Sequence, residues 1–229
     1  MGAPWRKGSH LWIPGAFFAV SGMLAWLAFE RAGWSLALLW PAANCAAVGA
    51  AYFGAGGRVF GKARDGSMRG PRSWAMLPFL AVVWAVWRLQ VALSPERCWD
   101  EPAPGILLGR RPRRGEHPPD LELVVDLTAE FPKPGYHPGS AGYRCLPTLD
   151  AFVPEEASFL ALLEEAARAR RVFVHCANGH GRSAAFAAAL LLRRGLASEV
   201  GEAMALIRRA RPACRLNPVQ ARLASRGCR

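Results

Sequence analysis

The sequence predicts two structurally different parts, an α-helical membrane segment over residues 1–95 and an α/β domain over residues 96–229. Long apolar runs dominate the first part. The second part begins with a linker at residues 96–104, and short strand-like runs then alternate with helix patterns over residues 154–170, 183–194, 198–210 and 218–225. Alternation of this kind predicts a central, mostly parallel sheet flanked by helices. Residues 133–142, rich in Pro and Gly, are expected to form an exposed loop.

Two apolar runs near the start of the chain are long enough to cross a bilayer. They cover residues 11–29 and 34–56, and a helix needs about 20 residues to span a hydrocarbon core of about 30 Å. Tryptophans lie towards the ends of the runs, as is typical of membrane interfaces. The second run follows almost at once and no clean cleavage site separates them, which argues against a secretory signal peptide.

A strand, a tight loop and a helix are predicted around residues 175–183, which have the sequence HCANGHGRS and are called the signature loop below. The apolar run 172–174 predicts the strand, and the Ala/Leu pattern of residues 184–192 predicts the helix. Gly179 and Gly181 allow the backbone to curl, so that several N–H groups converge beside a helix N-terminus. Such a loop is expected to bind an anion.

Three side chains of the signature loop have the chemistry for phosphoester cleavage. A positive field favours the thiolate of Cys176, which is the nucleophilic form. Arg182 has a planar fork that can bind two phosphate oxygens at once. Ser183 is a candidate helix N-cap whose hydroxyl can reach the thiolate. Since the guanidinium and the loop amides supply the positive charge, no metal ion or other cofactor is expected.

The pattern H-C-x5-R-S resembles the signature of the cysteine-dependent protein tyrosine phosphatase superfamily, and most of all its dual-specificity branch. The resemblance extends over residues 104–220, about half of the chain. It implies a protein tyrosine phosphatase-like fold, a phosphocysteine intermediate and a buried His175 that orients the loop beneath the cysteine. It also implies phosphate binding by six residues of the loop, Ala177, Asn178, Gly179, His180, Gly181 and Arg182.

A general acid is expected to protonate the leaving group, and the preferred candidate is Asp150. It lies 26 residues before Cys176, in a loop similar to the one that carries the acid in this family. An ordinary turn aspartate is the alternative interpretation. Asp126, at the end of a Val-rich strand, is the second candidate for the acid, and Glu130 is a weaker one.

A third apolar stretch, residues 74–93, is interrupted by Pro78, Arg88 and Gln90. It either crosses the bilayer or lies along it as an interfacial or re-entrant helix. The basic cluster of residues 58–72 favours the cytoplasmic side, as do Arg6 and Lys7 at the start of the chain. Because a thiolate enzyme is best protected in a reducing compartment, we favour the interfacial interpretation and a cytoplasmic catalytic domain.

The net charge of +12 is spread over both parts of the chain. It fits partners such as anionic lipid headgroups or phosphorylated substrates, and no nucleic-acid-binding motif accompanies it. Six cysteines without C-x2-C spacing argue against a zinc site or a disulfide framework. Cys145 is either a buried strand cysteine or a reversible disulfide partner of Cys176.

The first functional hypothesis is a membrane-anchored phosphatase of phosphotyrosine or phosphoserine/threonine in proteins. The alternative is a lipid phosphate phosphatase of the phosphatidylglycerophosphate or phosphoinositide type, although the signature loop has none of the lysines that inositol-lipid enzymes often place there. A third hypothesis is a catalytically silent module that binds phosphorylated partners. The Ala-, Arg-, Gly- and Leu-rich composition suits a high-GC bacterial genome, so a multi-pass protein of a bacterial inner membrane is expected.

Overall fold

The computed structural model describes residues 12–135 and 141–228. The first residue of the first predicted span, Leu11, lies outside the described residues, as do the basic residues Arg6 and Lys7. The same holds for positions 136–140 of the Pro- and Gly-rich loop that is predicted for residues 133–142.

Most of the described residues of the first part are helical. A 20-residue helix is followed by a 3-10 turn over Gly33–Leu38 and a shorter helix that ends at Ala51, not at residue 56 as the apolar run predicts. A second 3-10 turn at Gly56–Phe60 takes up the glycine-rich end of that run. The four helices are α1 (Trp12–Arg31), α2 (Leu39–Ala51), α3 (Pro71–Ala75) and α4 (Leu77–Leu93).

Two helical stretches, Trp12–Arg31 and Gly33–Ala51, have the length and composition of membrane spans. Large apolar side chains on them face outwards: Trp34 is 97% exposed, Trp12 70% and Phe29 67%. A continuous exposed apolar surface of this kind is uncommon on a monomer in water. These helices are therefore compatible with membrane association.

The second part of the chain has the mixed α/β architecture that the sequence predicts, with a five-stranded sheet in the order β1-β2-β5-β3-β4. The β1–β2 pair is antiparallel and the other three pairs are parallel, which confirms the prediction of a mostly parallel sheet. The strands are β1 (Trp99–Ala103), β2 (Ile106–Arg110), β3 (Leu123–Thr128), β4 (Gly142–Thr148) and β5 (Val172–Cys176).

Strand β1 corrects the sequence analysis, which gives residues 96–104 no structure of their own. The chain turns back at Gly105, whose φ of +75° is a conformation that glycine adopts without strain. This turn allows Trp99 to pair with Gly109 of β2. The sequence pattern does not predict this short strand, because Pro102 and Pro104 give the stretch the composition of a linker.

Four helices complete the second part, and they lie close to their predicted positions. They are α5 (Glu156–Arg168), α6 (Arg182–Arg193), α7 (Val200–Ala210) and α8 (Pro218–Ala224). Helix α6 is buried along almost its whole length, because its small alanines let neighbouring elements approach from several sides. It holds the end of the signature loop within the main hydrophobic core.

Alternate residues of the central strands face opposite sides of the sheet. Val125 and Val174 pack with helices α5–α8 in the main core, whereas Val124 and Phe173 pack on the other face. This alternation is the period-two pattern of a pleated strand. Both faces are covered, as is usual for a parallel sheet.

Helix α4 packs directly against the end of the sheet that carries the signature loop. Trp87 and Val91 form an apolar cluster with Phe131 and with Ala177 of the loop. The indole of Trp87 donates a hydrogen bond to the carbonyl of Ala177 (3.0 Å), and the indole of Trp84 donates one to the carbonyl of Glu130 (2.8 Å). The first part of the chain thus forms one wall around the loop.

A buried ion pair joins the helical segment to the sheet. The ammonium of Lys62 lies 2.8 Å from the carboxylate of Asp126, and both side chains are fully buried. Lys62 also donates to the carbonyl and the hydroxyl of Thr128. Removal of one member of such a pair strongly destabilises the fold, because the remaining charge is buried with neither a partner nor water.

We expect Lys62→Met to destabilise the full-length chain by about 3–5 kcal/mol, since it leaves the Asp126 carboxylate buried without a countercharge. Thermal denaturation in detergent measures the effect. The matched control is Arg58→Met, which removes an exposed basic residue of the same segment and should change the melting temperature little. The double variant Lys62→Met/Asp126→Asn should recover part of the loss. Equal melting temperatures for Lys62→Met and Arg58→Met would contradict the prediction.

Candidate active site

The signature loop runs from the end of β5 at Cys176 to the start of α6 at Arg182. The sulfur of Cys176 accepts the backbone N–H of Gly179 at 3.3 Å and lies 3.3 Å from the hydroxyl oxygen of Ser183. Donors arranged in this way stabilise a thiolate. The loop brings together the nucleophile and the hydroxyl that the sequence analysis assigned to it.

The two glycines of the loop have different roles. Gly179 has a φ of +78°, and a Cβ at this position would lie 2.4 Å from the backbone of Gly109, so only glycine fits. Gly181 has a negative φ of −99°. A Cβ there would meet Gln220 at an ordinary contact distance of 3.4 Å. The tight curl therefore depends on Gly179.

Arg182 is buried and held by several oxygens. Its two terminal nitrogens pair with the carboxylate of Glu130 at 2.9 and 2.7 Å, and one of them also donates to the carbonyl of Thr148. Burial alone would lower the pKa of the guanidinium, but the carboxylates of Glu130 and Asp150 outweigh it and raise the pKa. The side chain therefore stays charged in a fixed orientation.

Glu130 is thus a partner of Arg182, whereas the sequence analysis considered it only as a weak candidate for the acid. No spacing rule could have found this pairing, because 52 residues separate the two side chains in the sequence. The fork of Arg182 is fixed by Glu130 before any ligand binds. Among the described residues, its Nε has no hydrogen-bond partner, although Asp150 lies within 3.4 Å.

Asp150 lies in the loop after β4, and its side chain is 81% exposed. It lines the same cleft as Cys176 and Arg182. The surrounding backbone is held from two sides: the hydroxyl of Tyr52 donates to the carbonyl of Asp150, and the amide of Asn217 donates to the carbonyl of Ala151. The carboxylate therefore faces the reaction space from a positioned loop.

Asp126 and His175 lie beneath the loop, out of contact with solvent. Burial works against the charged form of Asp126, but Lys62 and the neighbouring hydrogen bonds outweigh it and hold its pKa below the ordinary value. Burial lowers the pKa of His175 to about 4, so the imidazole is neutral near pH 7. The two side chains approach within 3.9 Å. A fully buried carboxylate with this many partners is poorly placed to protonate a leaving group, and Asp150 remains the expected acid.

The back of the signature loop is held by Arg211, which the sequence analysis did not single out. Its guanidinium donates to the carbonyls of Asn178 and Gly179 and pairs with the carboxylates of Glu96 and Asp100. The sequence does not indicate this role of Arg211, because its partners Glu96 and Asp100 lie in a stretch that has the composition of a linker. Arg211 fixes the loop backbone from below.

Two polar residues of the signature loop contact other elements. The imidazole of His180 lies 2.7 Å from the carboxylate of Glu96, and the amide of Asn178 donates to Gln90 of α4 at 3.2 Å. His180 is therefore paired with a carboxylate and is not simply solvated. Both contacts tie the rim of the loop to residues outside the range 104–220 over which the family resemblance extends.

A disulfide between Cys145 and Cys176 does not fit the sheet. Cys145 of β4 pairs with Asp126 of β3, which in turn pairs with His175 of β5. Two inter-strand steps separate the backbones by roughly 10 Å, whereas a disulfide requires Cα atoms within about 7 Å. Burial also raises the pKa of Cys145 to about 12, which favours the neutral thiol. Cys145 is a strand cysteine.

The loop, Asp150 and the first helices enclose one cleft of about 950 Å³. In the part of the chain that the structure describes, no cluster of three or more His, Cys, Asp or Glu side chains could hold a metal ion. The groups around the thiol include the guanidinium of Arg182, the hydroxyl of Ser183, the carboxylates of Asp150 and Glu130, and the backbone of the loop. This set suits displacement at phosphorus by sulfur.

Comparison with solved structures finds likeness over a little more than half of the chain. A crystal structure of PTPMT1 in complex with PI(5)P matches with a TM-score of 0.49 and 21% identity, over 57% of this chain and 94% of that chain. A human DUSP28 variant matches with a TM-score of 0.49 and 23% identity, over 57% and 93%. The human tyrosine phosphatase-like serine/threonine/tyrosine-interacting protein matches with a TM-score of 0.48 and 20% identity, over 57% and 95%.

No family model and no curated protein matches the sequence. The architecture itself carries the assignment of the fold. A five-stranded, mostly parallel sheet ends in a C-x5-R loop, and that loop opens a buried helix. The second part of this chain has a mixed α/β fold, in which a five-stranded, mostly parallel sheet is flanked by helices.

Proposed function

We propose that this protein is a cysteine-dependent phosphatase that hydrolyses phosphomonoesters through a phosphocysteine intermediate. The observation that carries the proposal is the arrangement of Cys176, Ser183 and Arg182 around one loop, with Asp150 facing the same cleft. A catalytically silent binding module would not need this full set. Each of the four residues has a role in one of two chemical steps.

In the first step, the thiolate of Cys176 attacks the phosphorus atom of the substrate. A sulfur–phosphorus bond forms as the phosphorus–oxygen bond to the leaving group breaks, and Asp150 donates its proton to the leaving oxygen. The guanidinium of Arg182 and the loop amides stabilise the charge on the three non-bridging oxygens.

In the second step, a water molecule attacks the phosphocysteine. The carboxylate of Asp150 accepts a proton from this water, the sulfur–phosphorus bond breaks and inorganic phosphate is released. The hydroxyl of Ser183, 3.3 Å from the sulfur, donates a hydrogen bond to the departing thiolate of Cys176. The enzyme then returns to its starting state without a cofactor.

The membrane placement is also a proposal. The stretches Trp12–Arg31 and Gly33–Ala51 form a two-span hairpin, and the basic residues 58–72 stay on the cytoplasmic side. Helix α4 is one turn shorter than the first span and lies against the catalytic part, which supports an interfacial position. On this basis we place the protein in a bacterial inner membrane as a multi-pass protein, with the catalytic domain in the cytoplasm.

Two substrate classes use the same chemistry. Phosphotyrosine or phosphoserine/threonine in a protein was the first hypothesis from the sequence, and a lipid phosphate was the alternative. The cleft walls come largely from apolar residues of α1 and α4, and this observation favours the lipid.

The first test is turnover of an aryl phosphate by the full-length protein in detergent, with a chelator present. We expect the wild type to be active and Cys176→Ser to be inactive. Asp150→Asn should lower kcat by about 10²–10⁴-fold, because it removes the general acid. The matched control is Asp120→Asn, a carboxylate in an exposed loop, which should retain full activity. Activity that is lost with the chelator or that survives in Cys176→Ser would refute the thiolate mechanism.

A second test concerns the partner of Arg182. Glu130→Gln keeps the shape of the side chain but removes the charge that orients the guanidinium. Loss of hydrogen bonds between charged groups predicts a fall in kcat/KM of roughly 10–100-fold. Glu165→Gln, which breaks the surface pair with Arg144, is the control and should change kcat/KM less than about twofold, because neither residue lines the cleft and exposed ion pairs contribute little. Similar values for both variants would show that Glu130 does not orient Arg182.

A further inference from the structure

We propose that the substrate of this site is a membrane lipid with a terminal phosphate, whose hydrocarbon chain lies in a slot between α1 and α4. The proposal rests on the phosphatase function proposed above and names its substrate class. The slot is the apolar part of the cleft. Its α1 side includes Ile13, Ala16 and Val20, and its α4 side includes Val82, Val83 and Val86.

The slot and the signature loop belong to one continuous cavity. Cys176 and Arg182 line the same cleft as the apolar side chains of both helices. A phosphate bound at the loop therefore has hydrocarbon-like walls beside it. The molecule that matches both regions at once is amphiphilic, with its phosphate at one end and an apolar chain at the other.

The walls of the slot belong to the part of the chain that has membrane composition. Helix α1 has no charged residue before Glu30, and on α4 Val82 is 63% and Val86 48% exposed. Apolar side chains in such positions are unfavourable in water and favourable in contact with acyl chains. The slot therefore faces the environment in which a lipid substrate is dissolved.

A phosphopeptide suits this slot less well. Its backbone carries an N–H and a carbonyl at nearly every residue, and these groups need hydrogen-bond partners when water is removed. The six slot residues named above have only apolar side chains. A hydrocarbon chain has no polar groups that need hydrogen-bond partners. The slot therefore favours the lipid, because a peptide backbone would lose its hydrogen bonds to water there without replacement.

The test compares three substrates of the full-length protein: dioleoyl phosphatidic acid in mixed micelles, an aryl phosphate and a phosphotyrosine peptide. Val86→Trp fills the slot with a larger side chain. Its matched control is Ala85→Trp, at an exposed position of the same helix that does not line the cleft. Cys176→Ser reports how much of each turnover depends on the nucleophile.

We expect the wild type to prefer the lipid to the peptide in kcat/KM. Val86→Trp should lower the ratio of lipid to aryl phosphate turnover by about 10–100-fold, because the indole occupies space that the hydrocarbon chain of the lipid needs. Ala85→Trp should leave this ratio unchanged.

The outcomes separate the two proposals. Equal ratios for Val86→Trp and Ala85→Trp, or preference for the peptide, would overturn the lipid slot and leave the phosphatase intact. If no substrate is turned over in a Cys176-dependent manner, the phosphatase proposal fails and the lipid proposal fails with it.

Discussion

The buried pair of Lys62 and Asp126 connects the two parts of this molecule, and much of the site depends on it. Lys62 reaches from the helical segment to the end of β3, where it neutralises a carboxylate that no water reaches. Asp126 in turn accepts hydrogen bonds from the N–H and hydroxyl of Thr128. The ion pair therefore fixes the start of the segment that continues to Glu130, the partner of Arg182.

Helix α4 acts on the same region from the outside. Trp84 binds the carbonyl of Glu130, and Trp87 binds the carbonyl of Ala177 inside the signature loop. Each indole donates to a backbone oxygen while its ring fills apolar space, and the carbonyl of Ala177 also accepts the N–H of Arg111. The helical segment thus supports both the guanidinium and the nucleophile loop, so the catalytic half is best studied within the full-length chain.

The position of α1 and α4 beside the cleft links substrate choice to membrane attachment. The same helices that have the composition of membrane elements form the wall of the cleft, and the opposite wall carries Asp150 and the loop. A substrate phosphate is fixed by charge, which acts strongly in a buried site because the effective dielectric constant there is low. The remainder of the substrate meets apolar side chains. Chemistry and selectivity therefore come from different parts of the sequence that share one cavity.

The sequence by itself determined the local features: the fold class, the four helices of the second part, and the strand, loop and helix around Cys176. These follow from hydrophobic periodicity and from the glycine that a tight anion-binding loop requires, both of which act between near neighbours. Tertiary structure decided that Glu130 orients Arg182, that Arg211 holds the loop from behind, and that Cys145 lies two strands away from Cys176. It also decided that Lys62 and α4 belong to the site. These contacts join residues far apart in the chain, and the packing of helices on a sheet, which no local pattern encodes, brings them together.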